Sequence, residues 1–282
     1  MDILTGIDSV RARLRAEPAV ALVPTMGNLH EGHLTLVRRA KQLAGCVAVS
    51  IFVNRLQFGA NEDFGRYPRT FAADCDKLRE AGADVVFAPD ETELYPVPQQ
   101  VLVEPPPIAD ELCGAFRPGH FKGMATVVLK LFNIVRPHVA LFGKKDYQQL
   151  CIIRAMAEQL NVPVTVVGVD TVRGADGLAL SSRNGYLTPE ERQRATLLYR
   201  VLTGIRDAVQ GGNRDFSALE QQGEKILDRE GWRVDYVALR AAATLDPAGP
   251  EDREWVVLAA AWLGNTRLID NIEFVSKPDS LL

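Results

Sequence analysis

The sequence predicts an α/β protein: a Rossmann-like, doubly wound parallel sheet followed by a smaller α+β domain at the C-terminal end. Three observations carry that expectation. Short apolar strings rich in β-formers alternate with helical patterns through the first 170 residues. Those strings are apolar almost throughout, as in parallel strands that helices cover on both faces. After Tyr186 the order changes to helices and then three strand-like runs. Strand, helix, strand in repetition gives a doubly wound sheet, whose ligands bind beyond the carboxyl ends of the strands.

Taken in order, Met1–Pro18 places Ile3, Leu4, Ile7, Val10 and Leu14 among Arg11, Arg13 and Arg15, the spacing of an amphipathic helix. It has no apolar core of the kind a secretory leader needs. Strands are expected at Ala19–Pro24, Val47–Phe52, Asp84–Ala88, His138–Phe142 and Val162–Val169. Helices are expected at Leu34–Ala44, Phe71–Ala81, Met124–Val135 and Tyr147–Leu160. Thr188-Pro189-Glu190-Glu191 is a helix start: Thr188 can cap, Pro189 suits the first helical position, and Glu191 can reach back. That helix should run to about Val209 and end at Gly211-Gly212-Asn213. Helix Phe216–Glu230 and strands Val234–Arg240, Glu254–Leu263 and Thr266–Phe274 complete the chain. The expected division is a Rossmann-like domain over 1–185 and a smaller domain over 186–282 that closes over the active site.

Composition narrows the function. Of the 282 residues, 47% are hydrophobic and 24% charged, which excludes disordered, collagen-like and coiled-coil chains. A formal net charge of −4 leaves no basic surface for nucleic acid. No apolar run reaches the ~18 residues a membrane span needs. Cys46, Cys75, Cys113 and Cys151 lie far apart, without a C-x-x-C pair, so reduced cysteines in a cytoplasm are expected.

The chemistry should sit in the segments that follow strands. Pro24-Thr25-Met26-Gly27-Asn28-Leu29-His30-Glu31-Gly32-His33 comes directly after the first of them. It lacks both common glycine-rich phosphate fingerprints and carries H-x-G-H instead. Two imidazoles three residues apart share one helix face. Gly32 admits close approach to the backbone, and the helix N-terminus favours an anion. Such donors suit a triphosphate attacked at its α-phosphorus. Two plainer readings compete. His33 falls on the stripe Leu29, His33, Leu36, Val37, Ala40 and can be a satisfied core histidine, and the pair can be part of a zinc site, although no further cysteine or histidine lies nearby in sequence.

Three further segments are candidates. In Gly143-Lys144-Lys145-Asp146-Tyr147-Gln148-Gln149 a lysine can reach phosphate, and Asp146 can serve there or only as a helix cap. In Leu180-Ser181-Ser182-Arg183-Asn184, hydroxyls and a guanidinium suit phosphate oxygens, or form an ordinary polar loop. In Asn54-Arg55-Leu56-Gln57, Gln57 can hold a small polar substrate. The stretch Gly59–Tyr67, with Gly59, Asn61 and Gly65, can act as a lid.

Together these segments resemble the pantoate–β-alanine ligases, a family within the H-x-G-H nucleotidylyltransferases. The resemblance runs from Met1 almost to the end, through PTMGNLHEGH at 24–33, SIFVN-x-x-QFG at 50–59, YPRT at 67–70, RPGHFKG-x-x-TVVLKL at 117–131, G-x-KDYQQL at 143–150 and DGLALSSRN at 176–184. It implies ATP-dependent condensation of pantoate with β-alanine through a pantoyl adenylate, with Mg²⁺ accompanying ATP. It implies that His33, His30 and Lys145 act in catalysis. ATP contacts would come from Met26, Gly27, Asn28, Leu29, His30, Glu31, Gly32 and His33, from Gly143, Lys144, Lys145 and Asp146, and from Val172, Leu180, Ser181, Ser182 and Arg183. Gln57 and Gln149 would hold pantoate, and Gln57 also β-alanine. A homodimer formed through the N-terminal domain is implied as well. The chain departs from the family at three positions, where Pro, Glu and Val are usual and Arg55, Lys144 and Met124 stand. Adjacent lysines entering a helix point in different directions, so one is expected to face the phosphates; the resemblance assigns that role to Lys145 and leaves Lys144 facing solvent or the domain interface. Two other functions compete: an H-x-G-H nucleotidylyltransferase that releases pyrophosphate without AMP, and a nucleotide-binding module without turnover.

Overall fold

A computed structural model describes residues 1–60 and 62–275. The chain forms two compact units. One comprises Met1–Lys144 with Ile152–Val172; the other comprises Lys145–Cys151 with the chain from Arg173 onward.

The first unit is built on six strands: β1 (Asp2–Leu4), β2 (Val20–Thr25), β3 (Cys46–Ile51), β4 (Val85–Phe87), β5 (Val139–Gly143) and β6 (Thr165–Val169). All neighbours pair in parallel, in the order β1-β4-β3-β2-β5-β6. Around them are α1 (Ile7–Leu14), α2 (Glu31–Leu43), α3 (Phe71–Ala81), the single turns α4 (Glu91–Leu94) and α5 (Cys113–Phe116), α6 (His120–Val135) and the latter part of α7 (Tyr147–Gln159). Residues 21, 23, 47, 49, 86, 139 and 141 of the strands form one core with Leu36, Val37 and Ala40 of α2 and Leu78 of α3. The chain steps outward from β2 to β3 and β4, then returns to pair β5 against the other side of β2. That reversal makes the carboxyl ends of β2 and β5 the switch point, where a doubly wound sheet opens its ligand crevice.

The amino terminus departs from expectation. Met1–Pro18 is not one helix: Asp2–Leu4 pairs with Val85–Phe87 as an edge strand, and the helix begins only at Ile7. Apolar Ile3 and Leu4 satisfy either pattern locally, and a partner more than eighty residues away decides between them.

The second unit holds the beginning of α7, a small hairpin over residues 173–179, helices α8 (Pro189–Arg194), α9 (Thr196–Gln210) and α10 (Phe216–Arg229), and an antiparallel sheet β7-β8-β9. Its strands are β7 (Arg233–Ala241), β8 (Glu254–Leu263) and β9 (Thr266–Val275). Leu198, Leu202 and Ile205 of α9 pack with Leu219 and Leu227 of α10 onto Trp255, Val257, Leu268 and Phe274. The expected helix from Thr188 to Val209 is interrupted at Ala195. There the Thr196 hydroxyl donates to the Gln193 carbonyl at 3.0 Å, a back-bond of the kind that bends helices.

Candidate active site

At the end of β2 the Thr25 hydroxyl donates to the Ser50 carbonyl at 2.7 Å and accepts from the Gly27 N–H at 3.2 Å. The chain then takes two successive left-handed residues, Gly27 (φ 82°) and Asn28 (φ 50°). Glycine enters that region without steric cost, and asparagine more readily than most side chains. The turn is held from α3. Fully buried Asp74 accepts from the Asn28 and Leu29 N–H groups, each at 2.8 Å, and from the Thr70 hydroxyl at 3.0 Å. Lys77 donates to the Leu29 carbonyl at 2.7 Å.

The two histidines close the start of α2 on themselves. His30 is the N-cap, and its Nδ1 accepts from the Gly32 N–H at 3.2 Å. Nδ1 of His33 accepts in turn from the His30 N–H at 3.3 Å, and the ring centroids stand 4.1 Å apart. Each ring commits its Nδ1 lone pair to the backbone, so the neutral imidazole carries its proton on Nε2, a donor that can meet an anion. Only a glycine at position 32 leaves room for this arrangement: a Cβ there would stand 2.9 Å from Cε1 of His30. Both histidines are only partly buried, so the core-histidine reading of His33 does not hold. Among the described residues no group of three or more His, Cys, Asp or Glu could hold a metal, which removes the zinc reading there. Glu31 is drawn outward to Arg38, whose guanidinium holds its carboxyl below the usual range.

Gln57 lies in the single turn after β3 and is buried. Its Oε1 accepts from Asn54 at 3.0 Å, and its Nε2 reaches Met26 Sδ at 3.4 Å. Asn54 also donates to the Gly123 carbonyl at 3.1 Å and accepts from the Tyr95 hydroxyl at 2.8 Å. Burial pushes the Tyr95 phenol upward, which keeps that proton available. Helix α6 packs onto this turn so closely that a Cβ at Gly123 would overlap the Leu56 carbonyl. His120 Nδ1 meets the Gln57 carbonyl at 2.8 Å and its Nε2 meets Arg117 at 2.9 Å, while Arg117 grips both carboxylate oxygens of Glu62 at 2.7 and 2.6 Å. The stretch expected to act as a lid therefore carries an ion pair at Glu62 and the Phe58–Phe64 and Phe58–Tyr67 ring contacts; its Asn61 lies outside the described residues. Arg55 pairs with Glu91 at 3.1 Å and stacks 4.3 Å over Phe64. Met124 is buried within α6. Gly143 and Lys144 leave the carboxyl end of β5, beside β2, and Lys144 reaches Asp170 after β6 at 2.9 Å. Val172 closes this unit.

Lys145, Asp146, Gln149, Leu180, Ser181, Ser182 and Arg183 belong to the second unit. Lys145 and Gln149 are partly buried at the entry to α7, and Asp146 is exposed. Ser181 caps a turn over Ser182–Tyr186 by accepting from the Arg183 N–H at 3.2 Å. Its hydroxyl is thereby oriented by backbone.

Asp74, Lys77, Asn54, Tyr95 and His120 organise the first unit's residues and were not singled out from sequence. For Asp74 a signal existed: it stands one turn before Leu78 on the buried stripe of α3, where an unpaired carboxylate would be costly. Lys77, Tyr95 and His120 become legible only through contacts distant in sequence, and Asn54 through its distant bonds to Gly123 and Tyr95 beside the local one to Gln57.

The family model for pantoate-beta-alanine ligase matches residues 2–273. The chain belongs to that family. Family relatives named pantothenate synthetase include one from Methylobacillus flagellatus, 59% identical over 97% of this chain and 99% of its own. Another, from Laribacter hongkongensis, is 61% identical over the same shares. Among solved structures, the pantothenate synthetase of Thermus thermophilus superposes with a TM-score of 0.92 at 45% identity, covering 96% of this chain and 99% of that one. The pantoate-beta-alanine ligase of Francisella tularensis, complexed with beta-gamma ATP and beta-alanine, gives 0.82 at 33% identity, covering 96% and 97%. The six-stranded parallel sheet and the small antiparallel sheet are thus a family fold.

Proposed function

We propose that the protein condenses pantoate with β-alanine at the expense of ATP, giving pantothenate, AMP and pyrophosphate. The observation that carries this reading is the reciprocal imidazole cap of α2 at the switch point of the sheet, in a chain of this family. Pantoate's carboxylate attacks the α-phosphorus of ATP and pyrophosphate leaves. The amine of β-alanine then attacks the carbonyl of the mixed anhydride and AMP leaves. The first step calls for stabilised charge on the transferring group rather than a protein nucleophile. His30 and His33 supply Nε2 donors from the first unit, with Met26–Leu29, Glu31, Gly32, Gly143, Lys144 and Val172 around the nucleotide. Lys145, Asp146 and Leu180–Arg183 complete the proposed ATP contacts. Gln57 and Gln149 bind pantoate, and Gln57 also β-alanine. The second step depends on proximity and on exclusion of water.

Mg²⁺ enters with ATP. A magnesium ion takes most of its ligands from phosphates and water, with one or two carboxylates at most. The lack of any three-residue acidic or imidazole cluster among the described residues suits an ion borne by the nucleotide. The protein acts in the cytoplasm, a reading supported by its family and consistent with the absence, among the described residues, of any helix long and apolar enough to cross a membrane. It acts as a homodimer through its N-terminal part, where Val97, Val101, Leu102 and Phe116 are exposed. Incubation with ATP, Mg²⁺, pantoate and β-alanine should release AMP and pyrophosphate. Release of ADP, or of pyrophosphate without AMP, overturns the assignment.

A further inference from the structure

Strand β9 lies far in sequence from every residue expected to touch substrate, yet both expected phosphate segments of the second unit are tied to it. Consecutive strand residues point to opposite faces. Leu268, Ile272 and Phe274 point toward the helices, and Asp270 shares their parity. Asp270 is 4% exposed and grips the Arg173 guanidinium with both oxygens, at 2.6 and 2.9 Å. Arg173 also donates from Nη2 to the Asn271 carbonyl at 2.9 Å and from Nη1 to the Gly177 carbonyl at 3.1 Å, and stacks 4.1 Å over Tyr199. It thereby fixes the hairpin that leads into Leu180–Arg183. Asn271, on the opposite face and 5% exposed, donates its amide to the Lys145 carbonyl at 2.8 Å. Two residues on, the Glu273 carboxylate at 2.9 Å and the Ala242 carbonyl at 3.0 Å share the single proton of the Tyr147 hydroxyl.

We infer that Asn271 and Asp270 are positioning residues: one strand sets the backbone of Lys145 with one face and the base of the Ser181–Arg183 loop with the other. Neither is a catalytic residue, because neither is expected to touch substrate. The argument is geometric. Lys145 sits in a single turn between β5 and α7, where a side chain's reach is set by its own backbone. Asn271 is a buried donor from another element that fixes that carbonyl.

The inference rests on the proposed reaction, and the half-reactions separate the two. Pantoate-dependent exchange of labelled pyrophosphate into ATP reads adenylation, where Lys145 acts. Rapid mixing of preformed enzyme-bound adenylate with β-alanine reads aminolysis. Asn271→Asp keeps the shape, but at neutral pH it has no donor and sets a carboxylate against the Lys145 carbonyl. Its exchange rate should fall about 10- to 100-fold, the scale of a small misplacement of a reacting group. The thermal midpoint should fall, because a buried carboxylate is set against a carbonyl, while the aminolysis rate per folded molecule stays near that of the parent. Asn271→Ser, which can still donate but is shorter, should lose less. Asp270→Asn should raise KM for ATP several-fold with a smaller change in kcat. Exchange within two-fold of the parent in folded Asn271→Asp overturns the inference, as does equal loss in both half-reactions. Should Asn271→Asp fail to fold, Asn271→Ser decides on the same criteria. A parent enzyme that neither exchanges pyrophosphate nor forms AMP overturns the proposed reaction itself.

Discussion

Two helix starts in this protein use nearly the same hydrogen bonds for different ends. At α8, Thr188 Oγ1 accepts from the Glu191 N–H at 3.2 Å, and the Glu191 carboxylate accepts from the Thr188 N–H at 3.0 Å. At α2, His30 and His33 complete a similar reciprocal pair with ring nitrogens. The carboxylate at α8 satisfies the backbone and also cancels the positive end of the helix. The imidazoles at α2 satisfy the backbone while adding no negative charge to the cap. Each neutral ring also carries its proton on Nε2, the donor assigned to phosphate in the proposed reaction. The same topology therefore makes a carboxylate-closed cap in one place and, in the proposed reaction, the phosphate site in the other.

Substitutions can break that comparison, and the largest effect is expected where capping and anion binding are set against each other. His30→Asp replaces one good cap with another but puts a carboxylate in the proposed phosphate site. Turnover should vanish while the thermal midpoint stays near that of the parent. Retention of more than a tenth of the activity would mean that His30 serves only the helix. His33→Ala should lower pyrophosphate exchange by ~100-fold or more, on the scale of a lost transition-state donor. Circular dichroism should show the fold intact. If activity per folded molecule is unchanged, the donor role assigned to His33 is wrong.

A smaller effect is expected at Lys144, whose side chain is 27% exposed and whose ammonium is paired with the exposed Asp170 carboxylate. A pair open to water on its carboxylate side is weak and screened within ~8 Å at physiological salt. Lys144→Glu should therefore change kcat less than a few-fold, with at most a modest, salt-sensitive rise in KM for ATP. A ten-fold loss that persists at high salt would give Lys144 a direct part. The smallest effect on activity belongs to the structural cap. Thr188→Ala should cost about 1 kcal/mol of stability and leave kcat unaltered. Denaturant titration beside steady-state kinetics reads both, and a fall in kcat per folded molecule would show that the two helix starts are not functionally distinct.

What the sequence by itself determined follows from short-range physics. Apolar strings bounded by turn residues placed β2 to β6 within a few residues, and Glu254–Leu263 without error. Thr188-Pro189-Glu190-Glu191 specified its own cap because every partner lies within one turn. H-x-G-H after the first of those apolar strings formed its reciprocal cap for the same reason. Tertiary structure alone decided what distant partners decide. Asp2–Leu4 became a strand because β4 offered an edge. Asp74 became the clamp of the β2–α2 turn because α3 packs beside it. Gln57 acquired its orientation from Asn54, Tyr95 and His120, brought together by the packing of α6 on the turn after β3. Lys145 and Arg173 came to share β9, more than ninety residues further along the chain. A local pattern reports which groups a segment carries; the direction in which each group is held depends on buried partners that no local pattern names.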